Sequence, residues 1–101
     1  MRLKDKVVLV TGASQGLGLA IARRFSLEGA RVFLGDLKED QGRAAAAELT
    51  SRGAHAWFIR LDVTDEESWK AALTTLIDKA GKLDVLVNNA GINIRQPIEE
   101  M

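Results

Sequence analysis

Val7-Val8-Leu9-Val10-Thr11-Gly12-Ala13-Ser14-Gln15-Gly16-Leu17-Gly18 runs from four apolar residues into a glycine-rich turn and then directly into a helical pattern. Such an apolar run fits a strand buried on both faces, and the glycines let backbone approach a neighbouring group with no Cβ in the way. A helix starting at Gly16 would aim its unpaired N–H groups and positive dipole end at the same point. The turn therefore reads as a cradle for an anion such as a pyrophosphate, with the Thr11 and Ser14 hydroxyls at its rim. An ordinary turn with a close strand–helix approach has the same glycines, so the rest of the chain has to decide between the two.

Strand-like and helix-like stretches alternate from end to end, with no internal repeat and no composition break. After the first strand the pattern predicts a helix near 16–28, with Leu17, Ala20, Ile21 and Phe25 on one face, and then a strand over 31–35. A second helix near 39–52 and a strand over 55–61 follow. Thr64 with Glu67 matches a capping box for a third helix, whose Trp69, Ala72, Leu73, Leu76, Ile77 and Ala80 form one apolar stripe expected to be buried. Gly29, Gly53 and Gly81 stand where left-handed residues end helices, and Leu83–Val87 supplies a fourth strand. Parallel strands need right-handed crossovers. The series β-α-β-α-β-α-β therefore predicts an α/β fold, a doubly wound parallel sheet with helices on both faces, in one unit spanning 1–101.

Composition narrows the function. Of 101 residues, 47% are hydrophobic and 28% charged, as in a globular domain. Fourteen basic and fourteen acidic side chains cancel, so no broad field draws nucleic acid or an anionic membrane, and neither is expected as a partner. The absence of Cys excludes disulfides and thiolate chemistry and fits a cytoplasmic protein. The basic start, Met1 to Lys6, precedes too short an apolar run for a signal peptide or a membrane span.

With strand order 3-2-1-4, a crevice opens at the carboxyl ends of the first and fourth strands, and every suspect residue falls on that edge. Asp36, eighteen residues past Gly18, suits a carboxylate accepting from both hydroxyls of an adenosine ribose. Its charge would repel a 2′-phosphate by about 4 kcal/mol for unit charges about 4 Å apart at intermediate dielectric. Gln15 and Leu37 offer no cation to offset this, so NAD is favoured over NADP. Asp62 and Val63 suit adenine, the acid taking its amine and the valine its ring, although Asp62 also suits a helix start. The acids at 62, 65, 66 and 67 lack the spacing and the His or Cys partners of a metal site, and no metal is expected. His55, at the far end of its strand, reads as structural.

Thr11-Gly12-x-x-x-Gly16-x-Gly18, Asp36, Asp62-Val63 and Asn88-Asn89-Ala90-Gly91, in this order, closely resemble the short-chain dehydrogenase/reductase family of the classical type, over the whole chain. The glycine spacing is that family's and differs from the general G-x-G-x-x-G fingerprint. The resemblance implies a Rossmann-like fold and NAD held at Gly12, Ser14, Gln15, Gly16, Leu17 and Gly18. It places the ribose on Asp36, adenine on Asp62 and Val63, and a structural and cofactor-contacting turn at Asn89, Ala90 and Gly91. It also implies hydride transfer between a small-molecule alcohol and a carbonyl, and a homo-oligomer for the full-length protein.

That family transfers the proton with a Tyr-x-x-x-Lys pair, a Ser and a further Asn, all beyond residue 101, and this sequence has no Tyr. A forming alkoxide needs an acid, so no catalytic residue is assigned here and the 101 residues alone are expected to be inactive. Met101 reads as a truncation, because the fourth strand would otherwise be a bare apolar sheet edge. The alternatives are a non-catalytic nucleotide-binding module and a gene remnant.

Overall fold

The computed structural model describes residues 3–89. Strands β1 (Val7–Thr11), β2 (Arg31–Asp36), β3 (His55–Arg60) and β4 (Val85–Val87) alternate with helices α1 (Gly16–Leu27), α2 (Glu39–Ser51) and α3 (Glu66–Ala80). The sheet order is β3-β2-β1-β4, and all pairings are parallel, with Val7 opposite Arg31, Val8 opposite Val85 and Arg31 opposite His55. The expected architecture and strand order are therefore present.

The strand period of two sorts the core into two layers. Val8, Val10, Val32 and Leu34 point to one face and pack with Ala22 of α1 and Ala45, Ala46 and Leu49 of α2. Val7, Leu9 and Phe33 point to the other face and pack with Ala72 and Leu76 of α3. All five residues of β1 are buried, as a central parallel strand covered on both faces requires. Phe33 is fully buried and stacks on Trp57 with ring centroids 4.8 Å apart.

Three local expectations need correction. In α1 the buried residues are Gly18, Ala22 and Ser26, while Leu17 is 67% exposed and Ala20 is also exposed. Small residues face the sheet there because the helix lies so close to the loop before it. In α3, Ala72 and Leu76 are buried but Ile77 is 44% exposed, at the border where a cylinder curves away from a flat sheet. The N-cap of α3 is Asp65, whose Oδ1 accepts from the Glu67 amide at 3.1 Å. Thr64 instead gives both its amide and its hydroxyl to Asp62 Oδ1, at 3.0 and 2.6 Å. That local Asp-x-Thr turn outcompetes the capping box. The positive φ expected at Gly29, Gly53 and Gly81 is found, at 94°, 94° and 82°.

Candidate dinucleotide site

Every candidate residue within 3–89 lies at the carboxyl ends of the strands, the edge of the sheet that includes the point where β1 adjoins β4 and the chain reverses its winding direction. The loop from Gly12 to Gln15 is built onto this edge. Thr11 is in register with Gly35, and the Ala13 amide then donates to the Gly35 carbonyl at 3.3 Å, so the loop stays docked on β2. Gly12 and Gly16 have φ of 63° and 61°, left-handed values that a side chain would strain.

At Gly18 the requirement is space. An added Cβ would stand 2.0 Å from the Gly12 carbonyl oxygen and 2.7 Å from the Asn89 amide nitrogen. Asn89 donates from Nδ2 to that same Gly12 oxygen at 3.3 Å, and Thr11 Oγ1 donates to Asn88 Oδ1 at 3.0 Å. The turn after β4 thus braces the loop after β1. Ala90 and Gly91, assigned to this turn from sequence, lie outside the described residues.

The helix termini differ in what satisfies them. The α3 terminus has the Asp65 cap and acids Glu66 and Glu67, and the α2 terminus has Glu39 and Asp40 in its first turn. At α1, Gln15 makes no side-chain cap and the first turn holds no acid. Among the described residues no side chain caps its first amides, and Gly16 has no heavy atom within 4 Å of where a Cβ would sit. The donor set fits a pyrophosphate.

Asp36 ends β2 beside this loop. Its Oδ2 accepts from the Ser14 amide at 3.1 Å and the Ser14 hydroxyl at 2.7 Å, and its Oδ1 from the Leu37 and Lys38 amides at 2.7 and 3.1 Å. Partial burial pushes the carboxyl pKa up, but the Ser14 and turn hydrogen bonds outweigh it and hold Asp36 below the ordinary carboxylate value. Sequence reasoning named Ser14 and Asp36 separately and missed that they touch.

Asp62 is likewise held ionised, chiefly by the Thr64 hydroxyl, then by the Thr64 amide and the charge of Arg60. Both Thr64 bonds fall on Oδ1. Val63 is half-buried, and its carbonyl accepts from Trp69 Nε1 at 2.9 Å. Arg60, in register with Asp36, is a cation at this edge that only the strand pairing reveals. Sequence reasoning also missed Asp84, whose Oδ2 accepts from the Val7 amide at 2.8 Å and pins β4 to the start of β1. His55 is exposed at the opposite end of β3 and stacks on Trp57. An apolar cavity of about 280 Å³ among Leu3, Ile21, Arg24, Phe25 and Glu28 also lies at that opposite end.

Comparison with known proteins bears on the family and the fold. The chain is 44% identical over 99 residues to a cyclopentanol dehydrogenase of Comamonas sp. (strain NCIMB 9872), covering 98% of this chain and 40% of the relative. A 2,5-dichloro-2,5-cyclohexadiene-1,4-diol dehydrogenase of Sphingobium indicum is 48% identical, with 90% of this chain and 36% of that protein covered. Among solved structures, a short chain dehydrogenase from Mycobacterium smegmatis superposes with a TM-score of 0.84 at 42% identity, over 98% of this chain and 41% of that one. A variant of actinorhodin polyketide ketoreductase solved with NADPH gives 0.82 at 41% identity, over 90% and 35%. The chain thus spans about 40% of the length of the first of these relatives. The family model for short chain dehydrogenases matches residues 6–101, and the chain belongs to that family.

Proposed function

We propose that these residues form the dinucleotide-binding part of an NAD-dependent oxidoreductase that interconverts a small-molecule alcohol and a carbonyl. The carrying observation is the α1 terminus, a helix start with no side-chain cap and no acid, reached through the close contact of Gly18 with Gly12. Gly12, Gln15, Gly16, Leu17 and Gly18 would hold the pyrophosphate, with Ser14 of the same loop bonded to Asp36. Asp36 would hold the adenosine ribose, Asp62 and Val63 the adenine, and the turn at Asn89, Ala90 and Gly91 would have a structural and cofactor-contacting role. Bound there, the nicotinamide supplies or accepts the hydride.

The chain's own residues bind and orient. No Tyr occurs in the sequence, so the acid that protonates the forming alkoxide comes from outside residues 1–101, and these residues alone bind nucleotide without turnover. The family includes a protein solved with NADPH, so the preference for NAD rests on Asp36. Its ionised carboxylate repels a 2′-phosphate and offers acceptors to free ribose hydroxyls. A cytoplasmic, homo-oligomeric protein is part of the same proposal, checked by fractionation and light scattering.

Titration of the natural full-length protein with NAD and NADP tests the reading. NAD should bind at least tenfold more tightly, and alcohol oxidation should follow NAD. Equal affinities would remove the role given to Asp36, and failure to bind either nucleotide would overturn the site.

A further inference from the structure

Asp36 joins three parts of the fold through one carboxylate. The glycine loop reaches it through Ser14, β2 carries it, and the turn into α2 reaches it through the Leu37 and Lys38 amides. Three of the four donors are backbone N–H groups whose positions are set by the chain. The fourth and shortest contact from the loop is the Ser14 hydroxyl, at 2.7 Å, on a residue only 5% exposed. The hydroxyl has one proton to donate and gives it to Oδ2, so together with the Ser14 amide it fixes the rotation of the carboxylate.

We propose that Ser14 is a positioning residue that sets nucleotide selectivity through Asp36, by aiming the carboxylate at the ribose and fixing its charge where a 2′-phosphate would lie. The proposal rests on the NAD-binding reading above. Without the hydroxyl, Oδ2 keeps only the Ser14 amide at 3.1 Å, and the carboxylate gains rotational freedom that nucleotide binding must remove. The ribose then binds a less ordered partner, and the 2′-phosphate meets a charge that can swing away. A residue that merely shaped the loop would weaken both nucleotides alike. A residue that touched the nucleotide directly would act whether or not Asp36 is present.

The test is a double-mutant cycle in the natural full-length protein, with NAD and NADP affinities measured by fluorescence titration and thermal melts confirming folding. Ser14→Ala should weaken NAD roughly three- to tenfold and lower the ratio of NAD to NADP affinity by a similar factor. In an Asp36→Ala background, adding Ser14→Ala should change NAD affinity by less than about twofold. Additive losses, or equal losses for the two nucleotides, would overturn the role of Ser14 while leaving the ribose assignment intact. An Asp36→Ala variant with unchanged NAD affinity would instead overturn the ribose assignment itself, and this proposal with it. If Asp36→Ala melts below the assay temperature, Asp36→Asn takes its place, since its Oδ1 still accepts from Leu37 and Lys38 but its amide cannot accept from Ser14. Ser14→Cys, which retains only a weak donor, should fall on the side of Ser14→Ala.

Discussion

Asn89 and Gly18 meet across the floor of the glycine loop. The Asn89 side-chain amide donates to the Gly12 oxygen at 3.3 Å and stands 2.7 Å from where a Gly18 Cβ would be. The first turn of α1 thereby packs on the backbone of the loop after β1, and the turn after β4 reaches both through the Asn89 side chain. Gly18→Ala cannot be relieved by a flexible side chain, because the Gly12 carbonyl is only 2.0 Å away. It should cost about 1–3 kcal/mol of stability in chemical denaturation and weaken NAD at least tenfold, through displacement of the loop. Unchanged NAD affinity in Gly18→Ala would show that the loop geometry does not govern binding.

Asp36→Ala removes an ionised acceptor of four donors. Hydrogen bonds to charged groups contribute about 1.5–3 kcal/mol each, so NAD affinity should fall at least tenfold and the discrimination against NADP should relax. Calorimetric titration with both nucleotides checks this.

Stability should carry the imprint of the same carboxylate at acid pH. Asp36 titrates below its ordinary value of 3.8 when folded, so its contribution is present above about pH 4 and is lost as the pH falls through the depressed folded value. Urea unfolding between pH 6 and pH 3 should show stability dropping on the acid side, with a shallower drop in Asp36→Asn. Asp62 and Asp84 are depressed as well, so part of the slope should survive in that variant.

Away from the site, Gly42 lies against the Phe58 ring, where an added Cβ would come within 2.2 Å of Cε1, and Arg43 stacks its guanidinium over the same ring at 5.4 Å. Ala in a helix interior gains about 1 kcal/mol over Gly, but overpacking costs about 1–3 kcal/mol. Gly42→Ala should therefore lower the thermal midpoint, with NAD affinity unchanged. A higher midpoint would mean that the ring moves aside freely.

Phe33 is the largest fully buried side chain in the sheet and stacks on Trp57. Phe33→Ala should cost about 3–5 kcal/mol in denaturant unfolding, whereas Leu27→Ala, at a position 75% exposed, should change stability little.

The order of elements was legible because apolar runs, helical periods and terminal glycines repeat with a regular phase, and parallel connectivity leaves few ways to arrange them. The glycine turn was legible for a related reason: Gly12 and Gly16 have a positive φ and Gly18 a close backbone neighbour, constraints that strongly favour glycine. The face of α1 was misjudged because hydrophobicity ranks Leu17 and Ala20 above Gly18 and Ser26, while close packing selects the small residues. The Thr64 capping box failed because Asp62, two residues earlier, competes for the same hydroxyl.

Sequence by itself determined the α/β series, the family pattern and the chemical types gathered at one edge, since these depend on local spacing along the chain. Only the tertiary structure decided which of those residues touch. Ser14 and Asp36 are 22 positions apart, and Gly12 and Asn89 are 77 apart. Their meeting depends on the register of β1 against β2 and β4, which packing of both sheet faces fixes and no local pattern encodes.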